Sequence, residues 1–238
     1  EKNMKLLYEG KAKKIYETEN PNEILMHYKD DATAFNGLKK DQIHNKGILN
    51  NKISTMIFGY LKDNGIETHL IKTLNERDQL CRKVEILPLE VIVRNVFAGS
   101  ASKRLGIEEG VPCKEPIFEI CYKCDELNDP LINDTHAIAM GIATREELNR
   151  VWELTAQINQ LLIKLFDSVG VRLIDFKIEF GKDADGNIML ADEISPDSCR
   201  LWDKDTNEKL DKDRFRREMG NVEEAYIEIC KRLTKEEA

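Results

Sequence analysis

Three short stretches near the start of the chain, Lys5 to Tyr8, Lys14 to Thr18 and Glu23 to Tyr28, have the apolar and β-branched character of strands, with Asn20-Pro21-Asn22 as a turn. A helical period then replaces it: Ile48, Ile53, Ile57 and Leu61 fall on one face, and Asn64-Gly65 supplies the stop. Two further strands are expected at Glu67 to Leu74 and Leu80 to Leu87. Pro88 interrupts the apolar run between Val84 and Val93 and cannot donate to a central ladder, which places a hinge at Ile86 to Leu89. The chain therefore divides, on this pattern, into residues 1–87 and 88–238. The longest helical pattern runs from Arg145 to Val169, opened by a Thr144/Glu147 capping box and closed by Gly170. Two strands, Val171 to Phe180 and Asn187 to Ile194, follow around Asp183-Ala184-Asp185-Gly186, a hairpin signal. Two C-terminal helices are expected, the second opened by a capping box of Asn221 and Glu224.

The hairpin carries the first candidate chemistry. Strict alternation puts Asp175, Lys177 and Glu179 on one face and Ile174, Phe176, Ile178 and Phe180 on the other. A turn with an even number of residues would make paired residue numbers sum to an odd value and bring Asp192 onto the face of Glu179. Carboxylates so placed repel by up to about 1 kcal/mol, so a cation is expected between them. Mg²⁺ that keeps its waters and bridges phosphates suits two hard carboxylates. A solvated face neutralised by Lys177 is the alternative. The spacing lacks the ligands of an EF-hand.

Net charge changes the picture in one respect. The chain of 238 residues carries 36 Lys and Arg against 44 Asp and Glu, formally −8, which argues against nucleic acid or an anionic membrane as partner. With 13 glycines and 6 prolines it is neither low-complexity nor disordered. No run reaches the roughly 18 apolar residues of a membrane span, since Arg94 and Asn95 break the best candidate. Residues Glu1 to Lys5 carry no apolar signal segment, so a cytoplasmic location is expected. The six cysteines include one C-x-x-C, Cys121 and Cys124, without the second pair or histidines of a zinc site, and reduced thiols are expected.

Positive charge is instead local. Lys5, Lys11, Lys13 and Lys14 face only Glu9 in a turn where Gly10 and Ala12 let backbone N–H groups approach an anion. Neither a P-loop nor a dinucleotide-binding glycine motif occurs, so a basic surface turn is the alternative. Further on, a buried strand delivers Arg94, and Gly99-Ser100 opens a short helix whose N–H groups favour a phosphate. A polar loop, Asp192 to Asp203, begins where the hairpin ends. The four histidines show no ligand spacing. A basic turn, a hinge and an acidic hairpin together describe a two-lobed site for ATP and a metal ion. The motifs of protein kinases are absent.

Leu7-Tyr8-Glu9-Gly10-Lys11-Ala12-Lys13, Val93-Arg94-Asn95 with Ala98-Gly99-Ser100, Asp175 to Gly181, Asp192 to Asp197 and Arg200 to Asp203 resemble, in order and spacing, the SAICAR synthetase family of purine biosynthesis. The similarity runs from about Leu7 to Leu233. The resemblance implies an α/β fold of the α+β type, with an N-terminal antiparallel-sheet lobe, a larger C-terminal lobe of sheet and helices, and ATP in the cleft. It implies condensation of carboxyaminoimidazole ribotide (CAIR) with L-aspartate, giving SAICAR, ADP and phosphate, and assembly as a homodimer. Carried over by position, Gly10, Lys11, Ala12 and Lys13 would cradle ATP phosphates, Leu25, Val84, Glu85 and Ile86 would meet the adenosine, and Glu179 and Asp192 would hold Mg²⁺. Arg94, Ser100 and Arg200 would bind the ribotide, with Asp175, Lys177 and Asp197 at the reacting centre. Lys123, Asp129, Lys212 and Arg216 are further candidates for ribotide or aspartate. Cys199 departs from the Ser or Gly common before the Arg. A small-molecule kinase using the same ATP and Mg²⁺ site is the alternative activity, and a nucleotide-binding regulator without chemistry is a third reading.

Overall fold

The computed structural model describes residues 4–236; the expectation drawn from Glu1 to Asn3 at the N-terminus lies outside them. In chain order the strands and helices are β1 (Leu6–Glu9), β2 (Lys13–Glu17), β3 (Glu23–Tyr28), β4 (Asp31–Ala34), β5 (Lys39–Gln42), α1 (Lys46–Asp63), β6 (Leu70–Thr73), β7 (Asp78–Arg82), β8 (Glu85–Ile86), β9 (Leu89–Val96), α2 (Gly99–Leu105), β10 (Pro112–Tyr122), β11 (Leu131–Ile132), α3 (Asp134–Ala139), α4 (Arg145–Asp167), β12 (Val171–Lys182), β13 (Ile188–Ala191), β14 (Cys199–Asp203), α5 (Asp213–Arg216) and α6 (Val222–Thr234). This is a mixed α/β protein with several antiparallel sheets. The first sheet has the order β1-β2-β3-β7-β6, and β4 and β5 form a separate two-stranded sheet. The second runs β11-β10-β9-β12-β13, with β8 and β14 also paired to β12.

The stretch expected as one strand from Leu80 to Leu87 is two. β7 ends the first sheet's ladder, and β8 pairs instead with Gly181 and Lys182 of β12, so the chain changes sheets at Lys83 and Val84. Gly181 permits that approach: a Cβ there would lie 2.8 Å from the Cβ of Val84. Pro88 sits between β8 and β9, where no ladder bond is required of it.

The main core is built by helices on the second sheet. Ile53, Ile57 and Leu61 of α1 and Leu148, Val151, Ile158 and Leu162 of α4 are buried, as the helical spacing requires, together with Val91 and Val93 of β9 and Phe176, Ile178 and Phe180 of β12. Each such side chain contributes about 1.5–3 kcal/mol on burial. α1, from the first part of the sequence, packs against α6 from the last. The Thr144/Glu147 capping box of α4 forms, with both reciprocal bonds made. The one expected at Asn221 does not: Asn221 has φ 54° and its side chain caps nothing, because the left-handed turn aims it away from the first-turn N–H groups.

The acidic hairpin also departs from expectation. Glu179 pairs with Ala191 and Lys182 with Ile188, so five residues, 183–187, form the turn and paired numbers sum to an even value. The Asp183 carboxylate stabilises that longer turn by accepting the N–H groups of Asp185 and Asn187, both at 2.9 Å. Continued pairing would put Asp192 on the face of Ile178. Asp192 instead takes φ 61°, ending β13 and breaking the alternation.

Candidate active site

Two groups of buried charge meet along β12. At the first, Lys13 from β2 points at the end of the hairpin, with Nζ 2.8 Å from Asp192 Oδ1 and an ion pair to Glu193 Oε1. Lys123 Nζ, just past β10, lies 2.7 Å from Glu179 Oε1. Asp192 thus reaches the neighbourhood of Glu179 despite the register, through its left-handed backbone. Burial pushes the Glu179 carboxyl up and the charge of Asp192 adds to it, with Lys123 opposing. Burial would raise Asp192 too, but Lys13 outweighs it and holds the carboxyl below its ordinary value. Lys13 itself is held well above the usual lysine value, burial being overcome by Asp192 and Glu193.

At the second, the ladder places Asp175 opposite Arg94 of β9 on one side and Arg200 of β14 on the other. Arg200 Nη1 is 2.9 Å and Arg94 Nη1 3.4 Å from the same Asp175 oxygen. Arg94 also donates to Ser100 Oγ at 3.0 Å and pairs with Glu119, while Arg200 Nε reaches Asp213 at 2.9 Å. Arg216 binds the other Asp213 oxygen at 2.8 Å. Gly99, at φ 54°, makes room for this: a Cβ there would lie 2.7 Å from Arg200 Cζ.

A cavity of about 110 Å³ opens beside this group, lined by Arg94, Asp175, Lys177, Asp197, Arg200 and Arg216 among others. Asp197 enters it from the β13–β14 loop. Lys46, 2% exposed at the start of α1, pairs with Asp197 Oδ2, and the Tyr226 hydroxyl of α6 donates to Oδ1. Burial would raise Asp197, yet Lys46 and Lys212 drive it far down. Burial and the nearby cations Arg216, Lys46 and Lys177 lower Lys212 to about 8, against the pull of Asp197. A larger cavity of about 360 Å³ at Phe118, Leu131 and Trp152 is mostly apolar. The smaller one is the candidate site because charged groups converge on it.

Of the residues singled out in the sequence, Lys13, Lys123, Glu179 and Asp192 gather in the first group, and Arg94, Ser100, Asp175, Arg200 and Arg216 in the second. Lys177 lines the cavity but is half exposed, 3.4 Å from Glu90. Lys11 lies in the exposed turn, 3.9 Å from Asp125, while the Gly10 N–H closes the turn on Lys13 O and the Ala12 carbonyl accepts from Lys29. Leu25 is buried in β3 between Tyr16 and Leu80, and Val84, Glu85 and Ile86 form the strip against β12. Asp129 is in neither group; its carboxylate accepts the Cys124 N–H at 2.7 Å and shapes its own loop. All six cysteines are free thiols. Lys46, Asp213 and Tyr226 were not anticipated, and Glu193 only as part of the polar loop from Asp192 to Asp203. Lys46 left a signal of its own: a cation in the first turn of a helix, where the dipole disfavours it, needs a dedicated partner.

Buried cations and carboxylates converging on a polar cavity within a mixed α/β frame mark an enzyme site. The class is that of ATP-dependent ligases of purine biosynthesis, because residues 6–233 match the model of the SAICAR synthetase family, and the chain belongs to that family. It is 62% identical over 231 residues to the phosphoribosylaminoimidazole-succinocarboxamide synthase of Fusobacterium nucleatum, covering 97% of this chain and 98% of that one. The crystal structure of the Ehrlichia chaffeensis synthase superimposes with a TM-score of 0.96 at 49% identity, covering 98% of this chain and 100% of that one. A SAICAR synthetase solved in complex with ADP gives 0.94 at 47% identity, over 97% and 98% of the two chains. Among the described residues, no helix is long and apolar enough to cross a membrane.

Proposed function

We propose that the chain joins the carboxylate of CAIR to the amino group of L-aspartate at the expense of ATP, through an acyl phosphate. The observation that carries this reading is the pairing of two charged groups on one strand. Asp175 and Glu179 are four residues apart on β12, roughly 13 Å at about 3.3 Å per residue. That separation suits a triphosphate at the Lys13 end and a ribotide at the Arg94–Arg200 end, with the γ-phosphoryl group directed towards the cavity. The relative solved with ADP supports the nucleotide assignment.

A carboxylate is a poor acyl donor because its leaving group would be oxide. In the proposed reaction a CAIR carboxylate oxygen attacks the γ-phosphorus and ADP departs. The aspartate nitrogen then attacks the acyl carbon, phosphate leaves with the C–O bonding pair, and the nitrogen loses a proton. Arg94, Ser100 and Arg200 orient the ribotide, and Lys177 and Lys212 face the charge that develops on the acyl oxygen. Asp175 holds Arg94 and Arg200 in place. Asp197, kept ionised by Lys46 and Lys212, is the candidate partner for the ammonium of aspartate. Gly10 to Lys13 receive the phosphates, and Leu25 with Val84 to Ile86 the adenosine.

Glu179 and Asp192 fit Mg²⁺. Glu179 is buried and Asp192 half-buried, and they are mutually repelling carboxylates with hard oxygens; Mg²⁺ takes one or two such ligands together with water and phosphate. No group of three or more His, Cys, Asp or Glu is positioned for a metal among the described residues, consistent with a cation that arrives on the nucleotide. When bound it neutralises triphosphate charge. Lys13 and Lys123, now paired with these carboxylates, then have phosphates within their charge range. A homodimer in the cytoplasm belongs to the same proposal, and sedimentation of the purified protein checks the dimer. The deciding experiment is ADP release with CAIR and aspartate omitted in turn. Dependence on both supports the ligase; a stable phosphorylated product formed without aspartate would replace it with a small-molecule kinase.

A further inference from the structure

The first charged group is joined to Asp197, at the edge of the cavity, by a single hydroxyl. Ser195, 1% exposed in the β13–β14 loop, donates its Oγ–H to Glu193 Oε2 at 2.6 Å and accepts the Asp197 N–H at 3.1 Å. A serine has one hydroxyl proton, and here Glu193 holds it. The other oxygen of Glu193 carries the Lys13 ammonium. Beyond Asp197, its carboxylate is fixed by Lys46 of α1 and Tyr226 of α6. An unbroken chain of buried polar contacts therefore runs from β2 through the loop to α1 and α6. The loop is also tied at its other end, where Ser195 N–H donates to Ser198 Oγ at 3.0 Å and Ser198 N–H to Ser195 O at 2.9 Å.

We propose that Ser195 is a positioning residue for the ligase reaction: through one hydroxyl it sets Lys13, on the nucleotide side, and Asp197, on the acceptor side, at a fixed mutual distance. The inference rests on the ligase reading above. Its physical basis is geometric, since in-line transfer between two bound substrates depends on their relative placement, and a misplacement of about 1 Å costs on the order of 100-fold in rate. Removing the hydroxyl leaves Glu193 with one buried oxygen unpaired and frees the Asp197 N–H, so both ends of the chain relax at once. A hydroxyl that merely fills a buried polar slot would affect stability and leave the chemical step alone.

The test is a double-mutant cycle on kcat and KM in the full-length protein, with Ser195→Ala, Glu193→Gln and the double variant, each checked for folding by circular dichroism and melting temperature. Ser195→Ala is expected to lower kcat by about 10- to 100-fold while each KM moves by less than about 3-fold. The double variant is expected to be within about 2-fold of the more severe single one, because both remove the same linkage. Ser195→Thr, which keeps the hydroxyl, is expected to recover kcat relative to the alanine variant. A kcat for Ser195→Ala within about 2-fold of wild type overturns the proposal, as do multiplicative single effects, or a threonine variant as slow as alanine at equal melting temperature. If Ser195→Ala does not fold, the comparison of Glu193→Gln with Ser195→Thr decides: wild-type kcat in Glu193→Gln overturns it. A wild-type protein that turns over only when ATP, CAIR and aspartate are all present upholds the ligase reading independently of these variants. Absence of that turnover overturns the reading and this inference with it.

Discussion

Replacing Asp175 by asparagine isolates what charge contributes at the centre of the site. The substitution keeps the shape and one acceptor, and removes the negative charge between Arg94 and Arg200. Stripping the partner from a buried charge ordinarily costs about 3–5 kcal/mol, but neither arginine is left alone: Arg94 retains Glu119 and Arg200 retains Asp213. The loss is confined to charge assistance on one bond of 2.9 Å and one of 3.4 Å. A hydrogen bond to a charged group contributes about 1.5–3 kcal/mol against about 0.5–1.5 for a neutral one. The expected destabilisation is therefore about 1–2 kcal/mol, reduced by release from the burial that pushes the Asp175 carboxyl up against Arg200 and Arg94. For a chain of this size that corresponds to a melting temperature lower by roughly 2–8 °C. Turnover should fall much further, by about 100-fold or more, because the two arginines lose the group that fixes their separation. Thermal and denaturant unfolding measure the first quantity and coupled ADP release the second. A stability loss above about 4 kcal/mol would refute the redundancy of the arginine partners, and unchanged turnover would refute the role given to Asp175.

Three further outcomes are expected. Glu179→Gln should remain folded, with Lys123 beside it, while losing about 100-fold in turnover and its saturable response to Mg²⁺; an unaltered Mg²⁺ titration removes Glu179 from the cation site. Gly99→Ala meets both a left-handed backbone and the Arg200 guanidinium, so it should cost about 1–3 kcal/mol and raise the KM for the ribotide; normal stability with a normal KM contradicts the packing. Asp211, buried and next to Asp213, has its carboxyl raised to about 7. The folded state then binds a proton that the unfolded state releases near pH 4, so this stabilisation is full below about pH 4 and is lost as pH rises through 7. Denaturant midpoints of wild type and Asp211→Asn across that window test it, an identical slope in both being the refuting result.

Local physics made much of this protein legible in advance. The period of Ile53, Ile57 and Leu61 and the Thr144/Glu147 box each act within a few residues, and the helices they announce are present. The resemblance carried by short motifs led to the family for a related reason: loops that handle phosphate need particular residues at particular spacings. What those cues could not supply was pairing across distance. The hairpin parity failed because Asp183 accepts two turn N–H groups and lengthens the turn by one residue, and a left-handed Asp192 undid the consequence of that failure.

Propensity, capping and hydrophobic period are properties of neighbours along the chain, so the long helices α1 and α4, the C-terminal helix, several strands and the residue types available for chemistry were readable in one dimension. Which charges meet was settled by long-range packing. Asp175 lies between Arg94 and Arg200 because β12 pairs with β9 and β14 simultaneously. Lys46 finds Asp197, and Asp197 finds Tyr226, because α1, the β13–β14 loop and α6 converge on one core. Buried ions require partners, and the partners come from segments up to 180 positions apart, a distance over which no periodicity in sequence carries information.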